Sequence, residues 1–148
     1  MTLVADEETR ALADRINQLI VDMWAAVERK GPRYDEFELT NQQHLILGLI
    51  IRDPDVTPKQ LAEKVGVSKG AISQHLARLE QDGYLSREKS PADGRVQVFR
   101  LRDHGVAYQR AMEHYDRYLE DSYAANLTPA EMEQIAASLE KLKRAFEN

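Results

Sequence analysis

The chain has 148 residues and no cysteine. Disulfide bonds, a cysteine nucleophile, a thiol redox sensor and cysteine-ligated zinc or iron–sulfur centres are therefore excluded. Long apolar runs are also absent, because a run such as Leu45–Ile51 is far shorter than the roughly 20 residues that a membrane-spanning helix needs. Residues 1–10 are acidic, unlike a secretory signal peptide. We expect a cytoplasmic protein without membrane contact.

Common catalytic motifs are missing too. The sequence contains no Gly-x-Ser-x-Gly motif, no glycine-rich phosphate loop and no clustered carboxylate motif. Its length matches one domain, which we place at residues 1–148, and leaves no room for a separate catalytic domain. We therefore predict a protein that is not an enzyme and that has no resident cofactor.

Positive charge is scarce overall but concentrated in one segment. The sequence has 20 basic and 25 acidic residues, for a net charge of −5. Residues 57–102 nevertheless hold nine basic and five acidic side chains, a net charge of +4, whereas residues 1–56 and 103–148 are acidic. Because cations attract the phosphates of nucleic acids, the middle segment is the part suited to bind them.

Apolar spacing and capping residues predict four helices before residue 84. A stripe of apolar residues at steps of three and four follows Asp6, and Gly31-Pro32 ends it. Thr40 and Thr57 each stand three residues before a glutamine, which is the pattern of a capping box, and Ser68 can cap the last helix. The predicted helices cover about 6–30, 40–51, 60–65 and 68–82.

The periodicity changes after Gly83. Residues 84–89 and 96–101 are rich in β-branched, aromatic and long side chains, and the turn-forming residues between them predict a β-hairpin. Helical spacing returns from Asp103 to about Tyr123, and Thr128-Pro129 starts a last helix. The predicted fold class is mainly α (α+β), a winged helix-turn-helix between long N- and C-terminal helices.

The second helix of the predicted helix-turn-helix has two contrasting faces. At about 100° per residue, Ile72, Leu76 and Leu79 share one side. The opposite side is small, polar and cationic, so that the backbone can approach a DNA groove and side chains can bond to base edges. We predict DNA contacts from this helix, from its N-terminus and from the start of the preceding helix. The candidates are Lys59, Gln60, Ser68, Lys69, Gly70, Ser73, Gln74 and Arg78.

The tip of the predicted hairpin supplies the remaining DNA candidates. Lys89, Ser90, Asp93 and Arg95 belong to a projecting, charged arm that can reach an adjacent minor groove. Each residue alone also fits an ordinary solvated surface. The combination of cap, turn, acid-free outer face and basic hairpin favours DNA binding.

The run Leu61–Leu85, followed by Asp93-Gly94-Arg95, resembles the MarR family of bacterial transcriptional regulators and covers about a third of the chain. In that family the wing carries an Asp-x-Arg signature, in which the aspartate orients the arginine for the minor groove. Asp93 and Arg95 match these positions. The resemblance implies a homodimer that binds a palindromic operator in double-stranded DNA and usually represses transcription.

The end helices favour the same dimer, because their apolar stripes lie on otherwise acidic helices and must be buried somewhere. Packing within one chain is the alternative use of these stripes. We place the DNA-binding lobe at residues 40–102 and the helical dimerisation region at residues 5–30 and 103–148.

The resemblance further implies release by a small molecule bound between the dimer helices and the DNA-binding lobe. An aromatic acid or a phenol is the default expectation for the family. The candidate effector contacts are Trp24, His44, Tyr108 and Met112, although each also fits an ordinary core.

Two alternatives stay open. Some zinc-sensing relatives use a Glu-His pair and two further histidines, but this sequence has only His44 and His114 in the corresponding helices. We therefore predict no metal site, with a metal-responsive regulator as the alternative.

A winged helix used only to dock a protein is the other alternative. It predicts acidic or large apolar residues on the outer face, the opposite of Gly70, Gln74 and Arg78.

Overall fold

A computed structural model describes residues 5–33 and 36–148. Within these residues, six helices and one β-hairpin follow one another along the chain. They are α1 (Glu7–Lys30), α2 (Asn41–Arg52), α3 (Pro58–Val65), α4 (Lys69–Gln81), β1 (Leu85–Lys89), β2 (Gln97–Leu101), α5 (Asp103–Asn126) and α6 (Pro129–Glu147). The predicted mainly α fold with a small two-stranded sheet is confirmed.

Side-chain caps explain where the helices begin. Thr40, Thr57 and Thr128 each form a complete capping box, in which the threonine hydroxyl accepts from a backbone N–H three residues on. The hydroxyl of Ser68 accepts from the backbone N–H of Ala71 at 3.1 Å. The helix predicted from residue 60 begins at Pro58, because proline fits the first helical position.

The described residues form two compact units, one of residues 5–33 and 115–148 and the other of residues 36–114. The second unit contains the buried core. Fully buried aliphatic side chains come from α2, α3, α4 and β1, and they hold the helix-turn-helix and the root of the hairpin together. The largest of them are Ile46, Leu47, Leu61, Ile72, Leu76, Leu79 and Leu85.

The hairpin is an antiparallel pair in which Leu85 faces Leu101 and Lys89 faces Gln97. Leu85 and Phe99 are buried, whereas Lys89 and Gln97 are exposed. The root of the hairpin therefore packs on the core, and its far end lies in solvent. We call residues 85–101 the wing.

A close approach joins the start of α5 to the turn before β1. The backbone N–H of Arg102 donates to the carbonyl oxygen of Tyr84 at 2.9 Å. A Cβ atom on Gly105 would lie 1.9 Å from that same oxygen, so this position requires glycine. Gly83, in the same turn, has a φ of 80°, which also favours glycine.

The unit of residues 5–33 and 115–148 has little core of its own. Neither α1 nor α6 contains a buried residue. Large apolar side chains are exposed along both helices, including Leu12, Ile16, Leu19, Ile20, Met23, Ile135, Leu139, Leu142 and Phe146.

Candidate nucleic-acid interface

Helix α4 separates its apolar and polar faces as the sequence predicts. Ile72, Leu76 and Leu79 are buried, whereas Ser73 and Gln74 are exposed on the opposite side. Because packing fixes the apolar face, the polar face is held outward with little freedom to rotate. This face presents hydroxyl, amide and guanidinium groups that can bond to base edges.

The N-terminal candidates lie exposed at the starts of α3 and α4. Ser68 is the N-cap of α4, and Lys69 and Gly70 are its first two helical residues. Lys59 and Gln60 lie in the first turn of α3, where the side-chain oxygen of Gln60 accepts from the backbone N–H of Thr57 at 3.0 Å. Helix N-termini carry partial positive charge, so both starts suit phosphate contacts.

Arg78 has a partner that sequence reasoning missed. Its Nε atom donates to Oδ2 of Asp82 at 2.9 Å, one helical turn further on. The side chain of Arg78 is still 62% exposed. The bond to Asp82 uses one of the five N–H donors of the guanidinium, so the group has further donors for a base or a phosphate. The i, i+4 spacing of an arginine and an aspartate was the available signal.

The tip of the wing is an ordered turn that leaves one arginine in solvent. The backbone N–H of Ser90 donates to the carbonyl oxygen of Val96 at 2.8 Å, which closes the turn. Oδ1 of Asp93 accepts from the backbone N–H of Arg95 at 3.0 Å and lies 3.8 Å from Nε of Arg95. The side chain of Arg95 is 96% exposed. Lys89 precedes this turn and is exposed too.

A half-buried ion pair connects α4 to the wing. Nε and Nη2 of Arg87 donate to the two carboxylate oxygens of Glu80 at 2.9 Å and 3.0 Å. This hydrogen bonding lowers the pKa of Glu80. The seven-residue separation across a turn gave no periodic signal, so sequence reasoning did not find this pair.

The wing holds a second ion pair within its own two strands. Nε of Arg100 donates to Oε2 of Glu88, and both side chains are largely exposed. Their backbone partners are Ser86 and Val98, so this pair is diagonal across the hairpin. Solvent screens an exposed pair of this kind more than the half-buried Glu80–Arg87 pair.

Three of the four candidate effector residues belong to the unit of residues 36–114. Nδ1 of His44 lies 3.0 Å from the hydroxyl of Tyr108. Burial lowers the pKa of His44 and raises the pKa of Tyr108 to about 12. Met112 is buried one helical turn after Tyr108. Trp24 belongs to the other unit, where its side chain is 62% exposed.

The described part of the chain offers neither a metal-binding cluster nor a membrane-spanning helix. Among residues 5–33 and 36–148, no three histidine, aspartate or glutamate side chains come together as metal ligands. Within the same ranges, no helix is both long and apolar enough to span a bilayer.

Comparison with known proteins identifies relatives of this chain. Residues 37–96 match the MarR family. The chain is 25% identical over 120 residues to YdgJ, an HTH-type transcriptional regulator of Bacillus subtilis, in a match that covers 80% of this chain and 73% of YdgJ. It is 38% identical over 77 residues to an HTH-type transcriptional regulator of Bacillus cereus, which covers 51% of this chain and half of that protein.

The fold is also similar to a structure solved with nucleic acid. FabT of Streptococcus pneumoniae, in complex with DNA, has a TM-score of 0.67 and 23% sequence identity, and the match covers 91% of this chain and 97% of FabT. A buried helix-turn-helix with an exposed polar face and a basic wing defines a winged-helix DNA-binding protein. The winged-helix segment thus matches the MarR family, and the chain is a DNA-binding transcriptional regulator that is similar to the members of that family.

Proposed function

We propose that the protein is a repressor that binds a palindromic operator as a homodimer. The observation that carries this proposal is the joint exposure, in one compact unit, of the polar face of α4 and of Arg95 at the tip of the wing. A helix face suits the major groove, and a projecting arginine suits the adjacent minor groove. The net charge of +4 on residues 57–102 supports the same surface.

We propose that a second copy of this chain packs against the apolar faces of α1 and α6. Leu139 is 56% exposed and Phe146 is 87% exposed in the single chain, and similar apolar exposure runs along α1. Contiguous apolar faces of this kind are typical of an association surface. The acidic character of residues 1–56 and 103–148 supports a role away from the duplex, since phosphate repels carboxylates.

Two-fold symmetry would determine the form of the operator. The two copies of α4 would then enter successive major grooves about 34 Å apart, and the half-sites would be inverted repeats. Blocking a promoter by occupying such a site needs no enzymatic activity. A protein with this function works where the chromosome lies, so we propose a cytoplasmic location.

Selection from a random duplex library is the experiment that tests this proposal. We expect recovery of a palindrome of roughly 16–20 base pairs, with half-sites about one helical turn apart. Affinity should fall steeply with salt, because each neutralised phosphate releases counterions. If no duplex is enriched and binding does not depend on salt, the chain is better explained as a winged helix that docks a protein.

Release by a small aromatic ligand is the second part of the proposal. The aromatic ring of Phe37 packs edge-on against Tyr108 at 5.2 Å, and His44 lies beside the same tyrosine. Together with the buried Met112, these groups offer flat apolar surface and a few polar atoms. Titration of the protein–duplex complex with benzoate, phenol and zinc would show whether an aromatic molecule or a metal releases the DNA.

A further inference from the structure

One carboxylate holds both the side chain and the backbone of an arginine in the wing. Glu80 lies in the last turn of α4, and Arg87 lies at the centre of β1. Besides the two guanidinium bonds, the backbone N–H of Arg87 donates to Oε1 of Glu80 at 3.1 Å. The two side chains are 30% and 26% exposed, so the pair is partly shielded from solvent. Three hydrogen bonds thus connect the end of α4 to one point on the wing.

The register of the hairpin shows why this point matters. Arg87 stands opposite Phe99, which is buried at the root of the wing. The backbone N–H of Arg87 bonds to Glu80, so this N–H group points to the open edge of the two-stranded sheet. Ser90, where the tip begins, is three residues further, or about 10 Å along an extended strand. A small rotation of the wing at Arg87 would therefore become a larger displacement of Arg95.

We propose that the Glu80–Arg87 pair positions the wing relative to α4, so that Arg95 and the polar face of α4 meet the same duplex. Glu80 and Arg87 are positioning residues, because they act through Arg95. This inference rests on the DNA binding described above and adds a specific pair to it. The DNA-binding candidates predicted from the sequence include neither Glu80 nor Arg87, since neither residue lies on the outer face of α4 or at the tip of the wing.

Electrostatics and geometry make opposite predictions for Glu80→Gln. Removing a carboxylate near a DNA-binding surface reduces repulsion of phosphate and should strengthen binding. Loss of the bidentate pair frees the wing and should weaken binding, because the glutamine amide cannot accept both guanidinium bonds. Glu88→Gln is the matched control, since it removes an equal charge from β1, beside Arg87, but leaves the connection to α4 intact.

The experiment measures the affinity of the full chain for the duplex recovered in the selection. We expect Arg95→Ala to weaken binding about tenfold in the unaltered background and less than about threefold in the Glu80→Gln background. In the Glu88→Gln background, the penalty should stay at about tenfold. Glu80→Gln alone should weaken binding by about fivefold despite its more favourable charge. Equal Arg95→Ala penalties in all three backgrounds would overturn the proposal.

A measurement without DNA tests the connection itself. The amide hydrogen of Arg87 should exchange at least about tenfold faster in Glu80→Gln than in the unaltered chain, and Glu88→Gln should leave its exchange unchanged. Arg87→Lys, which keeps the charge but loses the planar fork, is the second variant if Glu80→Gln does not fold. Unchanged exchange at Arg87 contradicts the inference. An unaltered chain that binds no duplex contradicts DNA binding as well, so the two failures are distinguishable.

Discussion

The carboxylate of Asp93 holds Arg95 through its backbone, at 3.0 Å from Oδ1 to the amide nitrogen, and leaves the guanidinium 3.8 Å away. The aspartate therefore fixes the main chain of the turn more firmly than it fixes the side chain. The arginine, almost fully exposed, keeps its guanidinium available for a groove. This relationship gives a physical basis for an Asp-x-Arg pair at the tip of a wing.

Arg95→Ala should weaken binding to the selected duplex about tenfold. The expected cause is loss of a cation from the minor groove, whose negative potential attracts arginine. Fluorescence anisotropy with a labelled duplex would measure the affinity. Size-exclusion chromatography should show an unchanged oligomeric state, because the wing lies outside the proposed dimer surface. A variant that binds like the unaltered chain would show that Arg95 does not contact DNA.

Two substitutions of Asp93 should have different effects. Asp93→Asn keeps an oxygen that can accept from the Arg95 amide, so we expect DNA affinity within about twofold of the unaltered chain. Asp93→Ala removes that acceptor and should weaken binding by about fivefold, although it also removes a negative charge. Affinity for the same duplex measures both. Equal losses in the two variants would indicate that the carboxylate charge matters more than the turn.

Gly105→Ala should destabilise the protein by about 1–3 kcal/mol, because the new Cβ would overlap the carbonyl oxygen of Tyr84. Gly48→Ala is the matched control in α2, where a Cβ meets nothing within 4 Å. That substitution should stabilise the protein by about 0.5–1 kcal/mol through helix propensity. Urea unfolding measures both changes. Two changes of the same sign would contradict the close approach at Gly105.

The stability of the fold should depend on pH through His44. Burial lowers the pKa of His44 below its ordinary value of 6.5 in the folded chain. As the pH falls, His44 therefore takes up a proton in the unfolded chain before it does so in the folded chain. The contribution of His44 to the free energy of unfolding is complete above about pH 6.5 and is lost as the pH falls through the lower pKa of the folded state. Urea unfolding at about pH 7.5 and pH 5.5 measures the free energy of unfolding at each pH. The two values should differ less for His44→Gln than for the unaltered chain. An equal difference would assign the pH dependence to other groups.

Leu139→Glu should shift the protein from dimer to monomer at micromolar concentration. The substitution introduces a charge on an apolar face that we propose a second copy covers, and burying an unpaired charge is costly. Sedimentation velocity measures the change. Glu140→Ala, the neighbouring residue on α6, is the control and should leave the dimer intact. A dimeric Leu139→Glu variant would place the association surface elsewhere.

The sequence indicated most of the fold because its signals are local. A threonine three residues before a glutamine or a glutamate predicted helix starts that the structure confirms as capping boxes. Apolar spacing predicted the buried face of α4, and the clustered turn residues predicted the hairpin. These signals depend on a few consecutive residues, so no tertiary contact was needed to interpret them.

Several elements begin or end a few residues away from the positions that the sequence predicts. The strands begin at Leu85 and Gln97, one residue later than predicted, and α5 extends to Asn126 rather than to about Tyr123. Backbone pairing decides where a strand begins, and it depends on the partner strand as well as on local composition. The predicted roles of the individual DNA and effector candidates remain predictions, and the experiments above test them.

The sequence by itself determined the order of the elements, the polar face of α4 and the concentration of positive charge in residues 57–102. Only the tertiary structure decided which charges neutralise one another. Arg87 and Arg78 count equally as cations in the sequence, yet Glu80 holds Arg87 in a half-buried pair while Arg78 remains mostly exposed beside Asp82. The physical reason is that hydrogen bonds act over about 3 Å, and folding alone brings Glu80 and Arg87, seven positions apart, to that distance.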